Sequence, residues 1–336
     1  MPAIIQGLER SAKSVFKRSP RLRRAYFRLV NTYHGVLLRS AGLRDGPTEG
    51  VLTDRVNPAN VVWIFCTGRS GSTWLRGMLE EFAECKVWEE PKVGQLFGEF
   101  YDKAGESRLV SADFVMGNPT RRAWTRALRN FVLETARAAN PSITPRHYLI
   151  VKEPDGAIGA PLLMEALPES RMIFLIRDPR DVAASALDAT RKGSWRYEWH
   201  NMATTRRAVP TERPEAFVKK HASKFVRQMG NARSAYDAHK GRKALIRYED
   251  LVADATGTMS RLCSALEIPA SEEQLVRVVE KHAWENVPEK EKGSGKFYRK
   301  ATPGGWRTDL TPEQARHIER IAAPLLRELY PEDAPS

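Results

Sequence analysis

Residues 61–76 read VVWIFCTGRSGSTWLR, an apolar run followed by a loop of glycine and small hydroxyl residues. The first five residues, 61–65, form the short continuous apolar stretch that is typical of a strand buried on both faces of a parallel sheet. The loop that follows places two glycines around one cation, Arg69, and leads into a helix-compatible stretch that runs through Phe82. Glycine lets backbone N–H groups turn inward, and the N-terminus of a following helix adds partial positive charge. The stretch therefore predicts a strand, an anion-binding loop and a helix.

The loop does not match the P-loop of nucleoside triphosphatases. That pattern, GxxxxGK[ST], requires a lysine after its second glycine, whereas here Gly68 and Gly71 lie three positions apart and Ser72 follows. An ordinary P-loop ATPase or GTPase is therefore disfavoured. A nucleotide or small-molecule kinase built on the same architecture stays as an alternative.

Three further apolar runs have the length of strands. They cover residues 148–151, 172–176 and 244–247, and long helix-compatible stretches at 121–139 and 215–239 separate them. The sequence shows no internal repeat and no low-complexity tract. We therefore predict an α/β, three-layer P-loop-like fold with a central, mainly parallel sheet flanked by helices.

The N-terminal region differs from the rest of the chain. The 336 residues carry a net charge of +13, and residues 1–44 contain ten Lys or Arg against the single acid Glu9. Apolar residues between Ile4 and Leu43 recur at three- and four-residue steps, which predicts an amphipathic helical arm. We divide the chain into a basic helical arm with its linker, residues 1–50, and a catalytic domain, residues 51–336. The arm suits peripheral contact with an anionic membrane, and a non-catalytic polyanion-binding protein is a second alternative. We expect no nucleic-acid partner.

The cysteines and the hydropathy of the sequence indicate the cellular compartment in which the protein works. The three cysteines, Cys66, Cys85 and Cys263, are widely spaced and form no ligand pattern, so neither a disulfide framework nor a zinc site is expected. No stretch is apolar for long enough to span a membrane, and the N-terminus lacks the apolar core of a signal peptide. We predict a cytoplasmic protein with peripheral membrane contact through the arm. The oligomeric state is left open.

A second anion-binding segment follows the run at 172–176. Residues 177–185 read RDPRDVAAS, with Arg177 at the end of the predicted strand and Ser185 eight residues later. Two helical turns return the serine to the side of the arginine, so both can contact one phosphate. We expect the two aspartates, Asp178 and Asp181, to cap the helix and to carry surface charge.

Together the two segments resemble the nucleotide-binding motifs of sulfotransferases that use 3′-phosphoadenosine-5′-phosphosulfate (PAPS). The glycine loop is similar to their 5′-phosphosulfate loop, and residues 177–185 are similar to their 3′-phosphate motif, R-[D/N]-P-x-[D/E]-x-x-x-S. Cytosolic members usually carry lysine at the position of Arg69, whereas arginine occurs in carbohydrate-type members. The resemblance implies that Ser72 and Thr73 hold the 5′-phosphate and that Trp74 lies against the adenine.

Two weaker markers extend the resemblance to about residues 61–310. Tyr248 stands in a Tyr-Glu-Asp segment that is similar to one near the adenine in the family. Residues 298–307 resemble the RKGxxGxW loop that closes over the 3′-phosphate, although Ala301 replaces the usual glycine. The nucleotide-binding residues implied in this way are Arg69, Ser70, Gly71, Ser72, Thr73, Trp74, Arg177, Ser185, Tyr248, Arg299 and Lys300.

Sulfuryl transfer requires a cation for the leaving oxygen and a base for the acceptor. Lys152 follows a predicted strand at the edge of the sheet where α/β folds bind ligands, and it precedes Arg177 by 25 residues, as a lysine does in the family. Arg69 supplies the positive charge of the glycine loop. We predict no metal ion, because no ligand cluster is visible in the sequence.

The base is less clear from the sequence. The cytosolic branch of the family uses a histidine just after this lysine, but here residues 153–155 are Glu, Pro and Asp. The glycosaminoglycan branch uses a glutamate about twenty residues after the glycine loop, where this chain has Glu89 and Glu90. We choose Glu90 as the base, with a pKa raised by a partly apolar cleft. Glu89 is the reserve, and Glu153 and Asp155 are more remote alternatives.

The resemblance implies transfer of a sulfuryl group from PAPS to a hydroxyl, and less readily to an amine. The acceptor would be a small metabolite, a carbohydrate or other glycan, or a lipid such as a glycolipid, and the sequence does not identify it. Aromatic residues in the variable segments are candidates for an acceptor pocket by position alone, although burial in the core is the commoner fate of such residues. These candidates are Tyr101, Trp124, Trp195, Tyr197 and Trp199.

Overall fold

The computed structural model describes residues 55–198 and 213–333. In this part of the chain the sheet has the strand order β2-β3-β1-β4-β5, and every neighbouring pair is parallel. Its strands are β1 (Val61–Phe65), β2 (Cys85–Glu89), β3 (Tyr148–Lys152), β4 (Arg171–Ile176) and β5 (Lys243–Arg247). The predicted α/β fold with a central parallel sheet is confirmed.

Helices connect the strands and cover the sheet. They are α1 (Ser72–Glu80), α2 (Val93–Asp102), α3 (Gly105–Leu109), α4 (Arg121–Ala139), α5 (Ala160–Ala166), α6 (Pro179–Asp188), α7 (Pro214–Ala238), α8 (Tyr248–Ala253), α9 (Ala255–Leu266), α10 (Glu272–Lys281), α11 (Trp306–Asp309) and α12 (Pro312–Leu329). The predicted strands and the two long helices are found within one residue of their expected bounds. Strand β2 was missed, because its sequence CKVWE places charged residues on a half-exposed edge strand.

Strand β1 is buried on both faces and separates two hydrophobic cores. Trp63 and Phe65 belong to one core, which side chains of α4, α5, α7 and α12 complete. Val62 and Ile64 belong to the other, which α1, α9 and α10 complete. Helices on both faces leave the carboxyl edge of the sheet free, and ligands of open α/β sheets bind at that edge.

The strand order brings the predicted site segments together. Strand β1 lies between β3 and β4, with Ile64 opposite Lys152 and Phe65 opposite Phe174. The glycine loop after β1, Lys152 at the end of β3 and Arg177 after β4 are therefore neighbours. Segments more than 80 residues apart in sequence thus meet at one edge.

Several predictions concern residues or properties outside this sheet. The basic arm, residues 1–50, lies outside the described residues, so its structure and the domain boundary stay predictions. Within residues 55–198 and 213–333, no helix combines the length and apolar character needed to cross a membrane. The three cysteines are buried free thiols, and the same residues contain no group of three or more His, Cys, Asp or Glu side chains that could hold a metal ion.

Candidate active site

The glycine loop turns sharply before α1. Gly71 has a φ of +85° and Arg69 a φ of +71°, both in the left-handed region that favours glycine. A Cβ atom at position 71 would lie 2.5 and 2.7 Å from two ring atoms of Tyr248. Because no side chain among the described residues caps the N-terminus of α1, its first N–H groups are available to an anion at the cleft.

Arg69 connects the glycine loop to three other segments. Its Nε donates to Ser185 Oγ at 2.9 Å and its Nη2 donates to the carbonyl of Phe297 at 2.7 Å. The rings of Trp195 and Phe297 lie 5.4 and 5.2 Å from the guanidinium carbon. Burial, together with neighbouring arginines, lowers the pKa of Arg69 to about 10. The guanidinium stays charged at neutral pH, although burial and the neighbouring arginines outweigh the favourable charge of Asp188.

Two further arginines face the same space. The side chain of Arg177 is 6% exposed, its Nη1 donates to the carbonyl of Arg69 at 3.1 Å, and its guanidinium carbon lies 4.2 Å from the centre of the Tyr248 ring. Arg299 is close enough to lower the pKa of Arg69. In the part of the chain that the structure describes, the buried Nε atoms of Arg177 and Arg299 have no hydrogen-bond partner. Arg177 Nη2 lies 3.8 Å from Asp181 Oδ2, and Arg299 Nη1 donates to Asp309 Oδ2 at 2.6 Å, so each guanidinium also has a carboxylate partner. The remaining Nε donors favour the binding of an anion.

These groups line a cleft of about 780 Å³ at the carboxyl edge of the sheet. The cleft is lined by most of the sequence-predicted site residues: Arg69, Gly71, Ser72, Thr73, Trp74, Glu90, Lys152, Arg177, Ser185, Tyr248, Arg299 and Lys300. Ser70 is the exception, because it is fully buried and its Oγ lies 2.9 Å from Thr67 Oγ1, inside the loop.

At the end of β3 a buried lysine contacts two glutamates. Lys152 is 3% exposed, and its Nζ donates to Glu89 Oε1 at 2.8 Å and to Glu90 Oε1 at 2.9 Å. Glu89 also pairs with Arg76 at 3.2 Å, and Glu90 with Lys92 at 3.2 Å. The predicted cation and the predicted base are therefore in direct contact.

The contact fixes the charge of both groups. Burial works to raise the pKa of Glu90, but Lys152 and Lys92 outweigh it and hold that pKa below its usual range. Burial works to lower the pKa of Lys152, and the two glutamates outweigh it in turn. The expected rise in the pKa of Glu90 was wrong, because a sequence does not show that a lysine faces the carboxylate. Both groups are ionised at neutral pH.

The more remote base candidates have other partners. Glu153 is buried and accepts the N–H groups of Gly94 at 3.1 Å and Gln95 at 2.8 Å, so it caps the start of α2. Asp155 accepts from Lys224 Nζ at 2.7 Å. Glu89 and Glu90 are therefore the carboxylates closest to Lys152 among the four candidates.

The two aspartates after Arg177 are only partly as predicted. Asp178 caps α6 by accepting the N–H of Arg180 at 2.7 Å, which confirms the predicted cap. Neither aspartate is a surface charge, since Asp178 is 5% exposed and Asp181 fully buried. Asp181 accepts the N–H groups of Gly304 at 2.7 Å and Trp306 at 2.9 Å. These partners lie more than 120 residues away, so no local sequence pattern indicates them.

Of the aromatic residues proposed for an acceptor pocket, some pack in the hydrophobic core and one lines the cleft. Trp124 is buried and donates its indole N–H to the carbonyl of Gly117, and Tyr101 packs against it. Trp195 lines the cleft, and Phe297, which the sequence analysis missed, packs against it with ring centroids 5.0 Å apart. Trp199 lies outside the described residues.

Comparisons with known proteins agree with this geometry. A model of the sulfotransferase family matches residues 62–272. The fold resembles a mouse sulfotransferase, SULT7A1, solved with PAP, with 13% identity, a TM-score of 0.52 and coverage of 82% of this chain and 87% of that one. It also resembles sulfotransferase STF9 from Mycobacterium avium, with 13% identity, a TM-score of 0.50 and coverage of 85% and 79%. No match was found among curated proteins. Because the family match covers both anion-binding segments and most of the sheet, the chain belongs to the sulfotransferase family and is a PAPS-dependent sulfotransferase.

Proposed function

We propose that the cleft holds PAPS between the glycine loop and α6. The 5′-phosphosulfate would bind to the N-terminus of α1 and to Arg69, and the 3′-phosphate would bind to Arg177, Ser185 and Arg299. The adenine would lie near Trp74, whose indole N–H already donates to the carbonyl of His282 at 2.9 Å. Both phosphate positions thus meet preplaced donors.

The observation that carries this proposal is the convergence of three arginines on one cleft, of which Arg177 is buried and Arg69 and Arg299 are partly buried. Arg69, Arg177 and Arg299 oppose one another electrostatically, and two of them keep a buried Nε without a partner in the described residues. A nucleotide with phosphate groups on two sides of the ribose offers an anion to each of them. Asp181 and Asp309 compensate part of this positive charge, but a neutral ligand would offer no anion to the two remaining Nε donors.

We further propose that Lys152 and Glu90 carry out the transfer. The acceptor hydroxyl would give its proton to Glu90 while its oxygen forms a bond to sulfur, and the bond from sulfur to the bridging phosphate oxygen would break. Lys152 would stabilise the negative charge that develops on that oxygen, which leaves with the bisphosphate nucleotide PAP. As Lys152 turns to the leaving oxygen, Glu90 would lose its strongest partner and become more basic.

For the acceptor we propose a hydroxyl compound, such as a small metabolite, a glycan or a lipid alcohol, with an amine as the less favoured choice. Two features support this proposal. A carboxylate base suits removal of a hydroxyl proton, and the rings of Trp195 and Phe297 beside Arg69 offer apolar faces to an acceptor.

Substitution of the two central groups tests the chemistry. With labelled PAPS and a panel of phenols, sugars and lipid alcohols, we expect Glu90→Gln and Lys152→Ala each to lose about a hundredfold or more in turnover. Their PAP affinity, measured by calorimetry, should stay within about threefold of that of the unaltered protein, because neither group is assigned to a phosphate. Glu99→Gln, an exposed glutamate of α2, serves as the control. Full turnover in Glu90→Gln would contradict the assignment of the base.

A further inference from the structure

Residues 293–306, which we call the strap, run along the cleft opposite the glycine loop. Phe297, Arg299 and Lys300 of the strap line the cleft. The carbonyl of Phe297 accepts the hydrogen bond from Arg69, so the strap also contacts the loop that follows β1. The position of the strap therefore decides where the positive charge of Arg299 lies.

One end of the strap is held by Asp188, the last residue of α6. Asp188 Oδ1 accepts from Ser294 Oγ at 2.7 Å, and Oδ2 accepts from the N–H of Gly295 at 2.7 Å. Gly295 has a φ of +71°, which residues other than glycine adopt only with strain. The N–H of Trp195 donates to the carbonyl of Gly295 at 2.8 Å. This end is therefore held through both the N–H and the carbonyl of Gly295.

The other end is held by Asp181, two turns earlier on the same helix. Its carboxylate accepts the N–H groups of Gly304 and Trp306, and Gly304 has a φ of +78°. Asp181 is fully buried and Asp188 is 6% exposed, so both sets of hydrogen bonds are partly shielded from water. Each carboxylate accepts two hydrogen bonds from the strap.

The two anchors lie on either side of the proposed 3′-phosphate site. Spacings of four and three residues place Asp181, Ser185 and Asp188 on one face of α6. Ser185 is the phosphate-site serine, and it lies between the two anchors along this face. Arg177, which precedes Asp181 by one turn, has its Nη2 3.8 Å from Asp181 Oδ2.

We infer that Asp181 and Asp188 are positioning residues that hold the strap over α6 in the nucleotide-free protein, so that Arg299 is already placed for the 3′-phosphate. The inference rests on the proposed function of the cleft. A preplaced strap lowers the cost of ordering residues on binding. Neither aspartate contacts the nucleotide. Their effect acts through Arg299 and Lys300, and it selects for ligands that carry a 3′-phosphate.

The test compares two nucleotides that differ only in the 3′-phosphate. PAP carries this group and AMP lacks it, so the ratio of their affinities separates the 3′-phosphate site, to which the strap contributes Arg299, from the glycine loop. Calorimetry on the full chain should show that Asp188→Asn and Asp181→Asn weaken PAP binding about tenfold or more, since each replaces charge-assisted acceptors with an amide. AMP affinity should change less than about threefold. Asp237→Asn, an exposed residue of α7, is the control.

A second readout follows the strap itself. Trypsin cuts after Lys296, Arg299 and Lys300, and we expect these sites to be cut faster in both variants than in the unaltered protein. Saturating PAP should slow the cleavage again. Because AMP binding reports an intact glycine loop, it also shows whether a variant is folded. If Asp181→Asn fails to fold, Asp188→Asn at the end of the helix decides the question.

Two outcomes would overturn the inference. One is an unchanged ratio of PAP to AMP affinity in a folded Asp188→Asn protein, and the other is an equal loss of both affinities, which would indicate a general structural role. Failure of the proposed function would look different, because the unaltered protein would then show no preference for PAP over AMP.

Discussion

At the scale of single residues, the proposed chemistry depends on the contact between Lys152 and Glu90. The two atoms Nζ and Oε1 lie 2.9 Å apart, and Glu89 accepts a second hydrogen bond from the same Nζ. Lys152 therefore carries its charge to the end of β3 although its side chain is buried. Glu90 keeps a second oxygen, which pairs with the exposed residue Lys92.

Lys92 provides a test of Glu90 as the base. Because Lys92 helps to hold the pKa of Glu90 below its usual range, Lys92→Met should raise that pKa toward the usual value. The base form of Glu90 would then be lost at a higher pH, so the acid limb of the turnover profile should move to higher pH. Lys103→Met, which removes an exposed partner of Glu99, is the control.

Lys92→Met should also change how the stability of the folded protein depends on pH. A carboxyl whose folded pKa is depressed stabilises the protein above its unfolded pKa, and this contribution is lost as pH falls through the folded pKa. Lys92→Met should therefore lower stability slightly at neutral pH and leave it unchanged at low pH. An acid limb that does not move would indicate that Glu90 is not the group whose ionisation limits turnover.

At the scale of elements, the turn between β1 and α1 shapes the 5′ subsite. Gly71 begins α1 from a left-handed conformation and lies directly against the ring of Tyr248, the first residue of α8. The helix N-terminus, the ring and Arg177 thus form one packed unit. No other residue type fits this position without moving the ring.

We therefore expect Gly71→Ala to destabilise the protein by about 1–3 kcal/mol, because it combines a positive φ with a clash. PAP affinity should fall with it, since the ring and the helix start must shift. Gly230→Ala is the matched control, because position 230 lies within α7 and a Cβ there meets no atom within 4 Å. That change should stabilise the protein by about 0.5–1 kcal/mol. Thermal unfolding of the two variants measures both effects, and equal melting temperatures would contradict this account of the turn.

Elements differ in how far the sequence predicts them. β1 and β4 are continuous apolar runs, so their burial on both faces was visible, whereas edge strand β2 mixes Lys86 and Glu89 with apolar residues. Arg177 was found because it directly follows such a run, and Arg69 because it lies in the glycine loop after one. The anchors of the strap were not predicted, since the partners of Asp181 are set by tertiary folding and not by local spacing. For the same reason the sequence did not show the direction of the pKa shift of Glu90.

At the scale of the whole molecule, the proposed site residues lie together at the carboxyl edge of the sheet. The loops after all five strands contribute to the cleft: the glycine loop after β1, Glu90 after β2, Lys152 at the end of β3, Arg177 after β4 and Tyr248 after β5. The strand order with β1 between β3 and β4 makes these loops converge. The strap then adds Arg299 from a segment close to the C-terminus.

The convergence of these loops leads us to predict which nucleotides the whole protein prefers. The three arginines of the cleft and the N-terminus of α1 should select a nucleotide with both 5′- and 3′-phosphates over one with a longer 5′ chain. The basic arm, residues 1–50, would add nonspecific attraction for any polyanion, so binding should be compared at moderate salt. The full chain is the proper sample, since its net charge of +13 belongs to the molecule as a whole.

The most direct measurement is the affinity of the full chain for PAP and for ATP, each with and without Mg²⁺, by titration calorimetry. We predict that PAP binds at least about a hundredfold more tightly than ATP, because the Arg177 and Arg299 contacts are available only to a 3′-phosphate. The preference should not depend on Mg²⁺. Equal or tighter binding of ATP with Mg²⁺ would contradict the assignment of the cleft to PAPS.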